Sequence, residues 1–110
     1  MNKSLEYLIS LQEIDLIIKE KDLEEKSGFK ISDFEALKEA RKKIIIKLEP
    51  ALYGKYERLK ERYGNSVVSV VDGVCLGCFS RLPTSLVSKK NKNEEIHNCP
   101  NCGRFLYWVE

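Results

Sequence analysis

Long apolar runs are missing from this 110-residue chain. No stretch of about 18 apolar residues occurs, so no segment is suited to span a membrane. Histidine is almost absent, with His97 the single copy. No Ser/His/Asp set and no phosphate-binding glycine loop accompanies it, and the sequence predicts a protein that is not an enzyme. Neither sign of charge dominates, because 19 Lys and Arg stand against 17 Asp and Glu. A near-neutral chain exerts no general pull on nucleic acid, so any such contact must come from a local patch. The opening stretch "MNKSLEYLISLQEIDLIIKE" acquires Asp and Glu early and lacks a small-residue cleavage site. It is a poor signal peptide and predicts a cytoplasmic protein, where thiols stay reduced.

Scarcity is also uneven along the chain. Before Gly64 there is no Cys, one Pro and two Gly, in a dense mixture of Lys, Glu, Leu and Ile. After it come all four Cys, both remaining Pro and the β-branched run "SVVSVV". We read an α+β chain: an antiparallel, coiled-coil-like helical hairpin over 1–63 with a break near Pro50, then a small module of antiparallel strands over 64–110.

The first helix is expected from about Ser4, as N-cap, to Lys26, with Gly28 as its stop. Leu8, Leu11, Asp15 and Ile18 recur at 3-4-3 spacing, and Leu5, Ile9, Leu16 and Ile17 widen the apolar arc beyond what one partner helix can cover. Ser32 or Asp33 caps the second helix, with Glu35 as capping-box partner. Pro50 cannot sit inside a helix but is tolerated in the first turn of a new one, so a third helix is expected from Pro50 to Tyr63. Beyond it, "SVVSVVDGV" reads as a strand with an Asp72-Gly73 turn, "LPTSLVSKK" as one helical turn, "EEIHN" as a second strand and "RFLYWV" as a third.

The cysteines form the pattern C-x2-C-x20-C-x2-C: Cys75, Cys78, Cys99 and Cys102. Two intervening residues let both sulfurs of a pair face one ion from a tight turn, and two such turns complete a tetrahedron. Gly77 and Gly103 free the backbone beside the turns. A module of about 45 residues has too little core to stand alone, and a structural Zn²⁺ supplies what is missing. Four sulfurs leave no open coordination position for catalysis. Iron in a rubredoxin-like site, or two redox-active C-x-x-C pairs, are the rival readings of the same residues. His97 reads as a surface strand residue rather than a ligand.

"YERLKERYG", "GVCLGCFSRLP" and "HNCPNCGRFLYW" together resemble the C4-type zinc ribbon proteins with an N-terminal coiled-coil hairpin, a bacterial family that includes flagellar and type III secretion accessory proteins. "LQEID" in the first helix is similar to the family's start. The resemblance is most specific from Tyr56 to Trp108 and implies that Cys75, Cys78, Cys99 and Cys102 hold zinc. Family members are typically about twice as long because their hairpin is longer, so partner binding by the distal hairpin is not implied here.

Two readings of function follow. One is an accessory or regulatory protein that holds a protein partner through helices and ribbon. It rests on the wide arc, where Ile9, Leu16 and Ile17 are candidates for association into a homodimer, and on the aromatics of the last strand. There Phe105 and Tyr107 face one side and Leu106 and Trp108 the other, and so small a sheet is not expected to cover both. The alternative is RNA or single-strand binding. Phe79, Arg81, Lys89, Lys90, Lys92, Arg104 and Trp108 are candidate contacts for nucleic acid or a protein partner. Against nucleic-acid binding, the segment from Gly64 onward carries only five Lys and Arg beside four Asp and Glu. A zinc–tetrathiolate site, at −2, makes that segment net negative. "RKK" at Arg41–Lys43 lies among Glu35, Glu39 and Glu49 and reads as a solvated helix face.

Overall fold

The computed structural model describes residues 1–23, 31–88 and 92–109. Helix α1 spans Lys3–Leu23, α2 spans Ile31–Lys47 and α3 spans Pro50–Tyr63. Strands β1 (Val67–Val71) and β2 (Val74–Cys75) follow, then a single helical turn α4 (Thr84–Val87), a 3₁₀ turn at Lys92–Glu94 and strand β3 (Phe105–Trp108). The architecture is α+β, as the sequence predicts: three helices, then a small sheet beside the cysteines. The Gly28 stop, the Ser32 or Asp33 cap, Lys89 and Lys90 lie outside the described residues or side chains. Among the described residues, no helix is long and apolar enough to cross a membrane.

Helix α1 starts one residue earlier than expected, and Asn2 rather than Ser4 caps it. The Asn2 Oδ1 accepts the Leu5 N–H at 3.1 Å, while the Asn2 backbone N–H is held by the Asn93 carbonyl at 2.7 Å. That second bond fixes Asn2 where its side chain meets an orphan donor of the first turn. At the other end of the bundle, Pro50 opens α3, where its missing N–H is not needed. Gly64 closes α3 in the left-handed region (φ 87°), its N–H donating to the Lys60 carbonyl at 2.7 Å.

The wide apolar arc of α1 is covered in part from within. Leu5, Leu8 and Leu11 are fully buried against Leu48, Tyr56, Leu59, Val67 and Phe105, and Ile9 packs on the same cluster. Two helices and a sheet face cover Leu5 and Ile9, while Leu16 and Ile17 stay exposed. Polar atoms fix the docking. Gln12 accepts the N–H groups of Ser66 and Val67 on Oε1 (2.7 and 2.8 Å) and donates from Nε2 to the Val67 carbonyl at 2.9 Å. One side chain of α1 thereby completes the backbone hydrogen bonding at the start of β1.

The sheet has the order β2-β1-β3. β1 and β2 form an antiparallel hairpin whose turn residues, Asp72 (φ 52°) and Gly73 (φ 73°), both lie in the left-handed region. β3, however, runs parallel to β1, with Val67 opposite Phe105 and Val70 opposite Trp108. The ribbon is therefore mixed rather than antiparallel throughout: the chain between the two strands returns through both cysteine turns and re-enters the sheet in the same direction. The strand expected at "EEIHN" does not form. Asn98 makes only an isolated bridge with Phe105, and the outer side of β3 is served instead by the Asn93 amide, which donates to the Trp108 carbonyl (2.7 Å) and accepts its N–H (2.9 Å).

Both faces of this small sheet are covered. Val67 and Phe105 belong to the helical core, while Val68, Val70, Leu106 and Trp108 pack with Leu82, Cys75 and Cys99. The expectation that one face stays poorly covered fails because the cysteine turns fold back as a second layer.

Candidate metal centre

Two matching turns carry the sulfurs. In the first, the Phe79 N–H donates to the Cys75 carbonyl at 2.7 Å; in the second, the Gly103 N–H donates to the Cys99 carbonyl at 2.8 Å. Each turn ends on a left-handed residue immediately after its second cysteine: Phe79 at φ 60° and Gly103 at φ 81°. Outer bonds close the turns, from Cys75 N–H to the Ser80 carbonyl (3.0 Å) and from Cys99 N–H to the Arg104 carbonyl (2.9 Å).

The four Sγ atoms lie within 4.8 Å of one another. Across the turns, Cys75 and Cys102 are 3.9 Å apart and Cys78 and Cys99 are 3.7 Å apart. Sulfurs about 2.3 Å from a tetrahedral ion stand about 3.8 Å from each other, so the geometry fits one metal. These separations are far beyond the roughly 2.05 Å of a disulfide, and all four cysteines are free.

Electrostatics agree. Side-chain hydrogen bonds from Asn101 and Ser80 draw the Cys78 thiol down to about 5. Burial pushes Cys102 up to about 12 and Cys75 in the same direction, and the neighbouring sulfurs add to both shifts. The Cys78 thiolate forms readily, whereas Cys75 and Cys102 call for a cation among them. The chemistry of a four-thiolate set is that of one structural Zn²⁺, which cross-links the two turns and keeps no position open for substrate.

The comparisons point the same way. Residues 74–106 match the C4-type zinc ribbon domain family. This segment, under a third of the chain, carries a zinc ribbon. Two bacterial solved structures resemble the chain: the HP0958 protein from Helicobacter pylori CCUG 17874 (28% identity, TM-score 0.60, 71% of this chain and 33% of that one) and CT398 from Chlamydia trachomatis (28% identity, TM-score 0.58, 70% and 33%). The chain thus spans about a third of the length of these solved proteins. No curated protein matches it.

The other candidate residues are scattered. Phe79 is 75% exposed, and Arg81 beside it is exposed as well. Lys92 is half-buried in the 3₁₀ turn. Arg104 and Trp108 are buried, 8% and 3% exposed: Arg104 follows the second cysteine turn and stacks on Tyr63, and Trp108 packs in the cluster with Val70, Leu82 and Cys75. His97 is not on the surface either. It is buried edge-on to Trp108, with ring centroids 5.7 Å apart, and it is not part of the sulfur cluster. On α1, Leu16 (43%) and Ile17 (40%) are exposed, whereas Ile9 is packed inside.

A polar cluster on the helices escaped sequence reasoning. Arg41 donates from Nε to Asp15 Oδ1 at 2.6 Å and from Nη2 to Glu57 Oε1 at 2.7 Å, and Lys60 lies 3.3 Å from Asp15 Oδ2. Arg41 therefore turns inward and is not part of a solvated face. Burial alone raises the Asp15 carboxyl, yet hydrogen bonds from Arg41 and Tyr56 and the charges of Arg41 and Lys60 hold it below the usual carboxylate range. The one signal in the sequence was an aspartate standing where the apolar repeat calls for an aliphatic residue.

Proposed function

We propose that this is a non-enzymatic accessory or regulatory protein that grips a protein partner through its zinc ribbon and the flank of α1. The observation that carries the reading is Phe79. An L-residue in the left-handed region is strained by about 1–2 kcal/mol, and the equivalent position of the second turn is glycine. At 75% exposure Phe79 gains little burial to offset that strain. Strain without packing is typical of residues kept for contact. Exposed Leu76 stands on the same turn. Leu16 adds a second contact, beside an open groove of about 360 Å³ lined by Gln12, Ile18, Lys60 and Asn65.

The sequence resemblance to flagellar and secretion accessory proteins makes those assemblies the first place to look for the partner. Nucleic-acid binding is the weaker reading, since the burial of Arg104 and Trp108 removes two of its contacts. Capture from lysate tests the choice, with the parent and Phe79→Ser compared, with and without nuclease. A protein that resists nuclease and is lost with Phe79→Ser, at unchanged zinc content, is the expected result. Capture that depends on nucleic acid, or that ignores the substitution, overturns it.

A further inference from the structure

Arg104 is a buried arginine. Among the described residues, no carboxylate lies in ion-pair range of its guanidinium, and its Nε is buried without a hydrogen-bond partner. Buried charges in proteins are ordinarily paired, because an uncompensated ion in the interior is strongly unfavourable. The geometry around Arg104 says where the compensation lies. Its guanidinium stacks on the Tyr63 ring, 3.9 Å from the centroid, at the end of α3. From there it reaches the other cysteine turn: a Cβ built on Gly77 meets Arg104 Nη1 at 2.5 Å. Gly77 is one of the two residues between Cys75 and Cys78, and its backbone N–H bonds to the Cys75 sulfur. Arg104's own backbone N–H bonds to the Cys102 sulfur. The guanidinium is thus wedged between the two turns that hold the sulfurs, at a position only a glycine leaves open.

We propose that Arg104 is the counter-ion of the zinc–tetrathiolate site. Four thiolates around one Zn²⁺ carry a net charge of −2, and a fixed cation against the first turn offsets it in a poorly solvated setting. Tyr63 holds the guanidinium flat, so the charge is placed before the metal arrives. Arg104 is a positioning residue for the site and not a ligand. The inference rests on the metal reading given above.

Zinc release from the loaded full chain to a chromogenic chelator, under reducing conditions and at low and high salt, tests it. Arg104→Met keeps the apolar stem and removes the charge; Arg104→Lys keeps the charge. The Met variant is expected to bind zinc about 10–100-fold more weakly, the usual range for losing a partner just outside the ligands. It is also expected to lose the salt sensitivity of release, while the Lys variant stays close to the parent. Met binding like the parent, or Lys failing as badly as Met, overturns the proposal. If the Met variant does not fold, Lys decides alone: parent-like release supports the role and Met-free loss of zinc refutes it. A parent chain without zinc refutes the metal reading itself, a result distinct from a zinc-loaded parent indifferent to Arg104.

Discussion

The Tyr56 hydroxyl donates to Asp15 Oδ2 at 2.6 Å, joining the middle of α3 to the middle of α1. Tyr56 is fully buried, and the bond gives its hydroxyl a partner inside the interface. Because Arg41 from α2 meets the same carboxylate, Asp15 is the point where all three helices are tied. Asp15→Asn is expected to lower unfolding free energy by about 1–3 kcal/mol, the range for hydrogen bonds to a charged group. Chemical denaturation of the zinc-loaded chain measures it, and an unchanged midpoint means that the cluster contributes nothing to stability.

The same carboxylate sets a pH dependence. Its folded-state pKa lies below the ordinary carboxylate value, because the effect of burial is outweighed, chiefly by hydrogen bonds from Arg41 and Tyr56. A depressed carboxylate stabilises the fold above its unfolded value of about 3.9 and loses that contribution as pH falls through the lower folded value. The stability difference between the parent and Asp15→Asn is therefore constant near neutrality and shrinks below about pH 4. Comparing the two chains, rather than following the parent alone, cancels the acid sensitivity of the thiolates.

Trp108 reports on the metal. It is the single tryptophan and packs in the cluster that contains Cys75 and Cys99. Removing zinc with a chelator in reducing buffer is expected to shift its fluorescence to the red as the ribbon opens. Helix packing should loosen as well, since Val67 and Phe105 sit in the helical core. Elemental analysis should find one zinc per chain, and a tryptophan spectrum unaffected by metal loss contradicts the structural role assigned to the ion.

Phe79→Gly should stabilise the zinc-loaded chain by about 1 kcal/mol, because glycine adopts the left-handed region without strain. Gly77→Ala should do the opposite. The added methyl meets Val68 Cγ1 at 2.9 Å as well as Arg104, and overpacking of this kind destabilises by about 1–3 kcal/mol. Thermal unfolding of both variants gives the two signs. A stable Gly77→Ala chain places Arg104 elsewhere.

Exposed Leu16 and Ile17 are the residues through which we propose the chain pairs with itself. Changing both to Glu should abolish any dimer seen by sedimentation while leaving zinc content intact. Ile9, packed inside, should instead destabilise the fold when changed to Glu.

What could be read in advance was whatever the chain settles locally. The cysteine turns depend on residues three apart, and the Asp72-Gly73 hairpin and the Pro50 helix start on immediate neighbours. What could not be read depends on distant meetings. Nothing near Val67 says that Phe105 will lie beside it in parallel, since strand direction is decided by the path of the intervening chain. Arg104 looked like a surface cation because the two residues that enclose it, Tyr63 and Gly77, are dozens of positions away. Asp15 could have been suspected from its place in the apolar repeat; its partners Arg41 and Tyr56 come from two other helices.

The Asn93 amide that serves the backbone of Trp108 has a wider consequence. It occupies the outer rim of β3, and the bridge from Arg81 to Val74 occupies the rim of β2. Among the described residues, a visiting strand finds no free row of amides along either rim of this sheet, so an extended peptide has no template there for adding a strand.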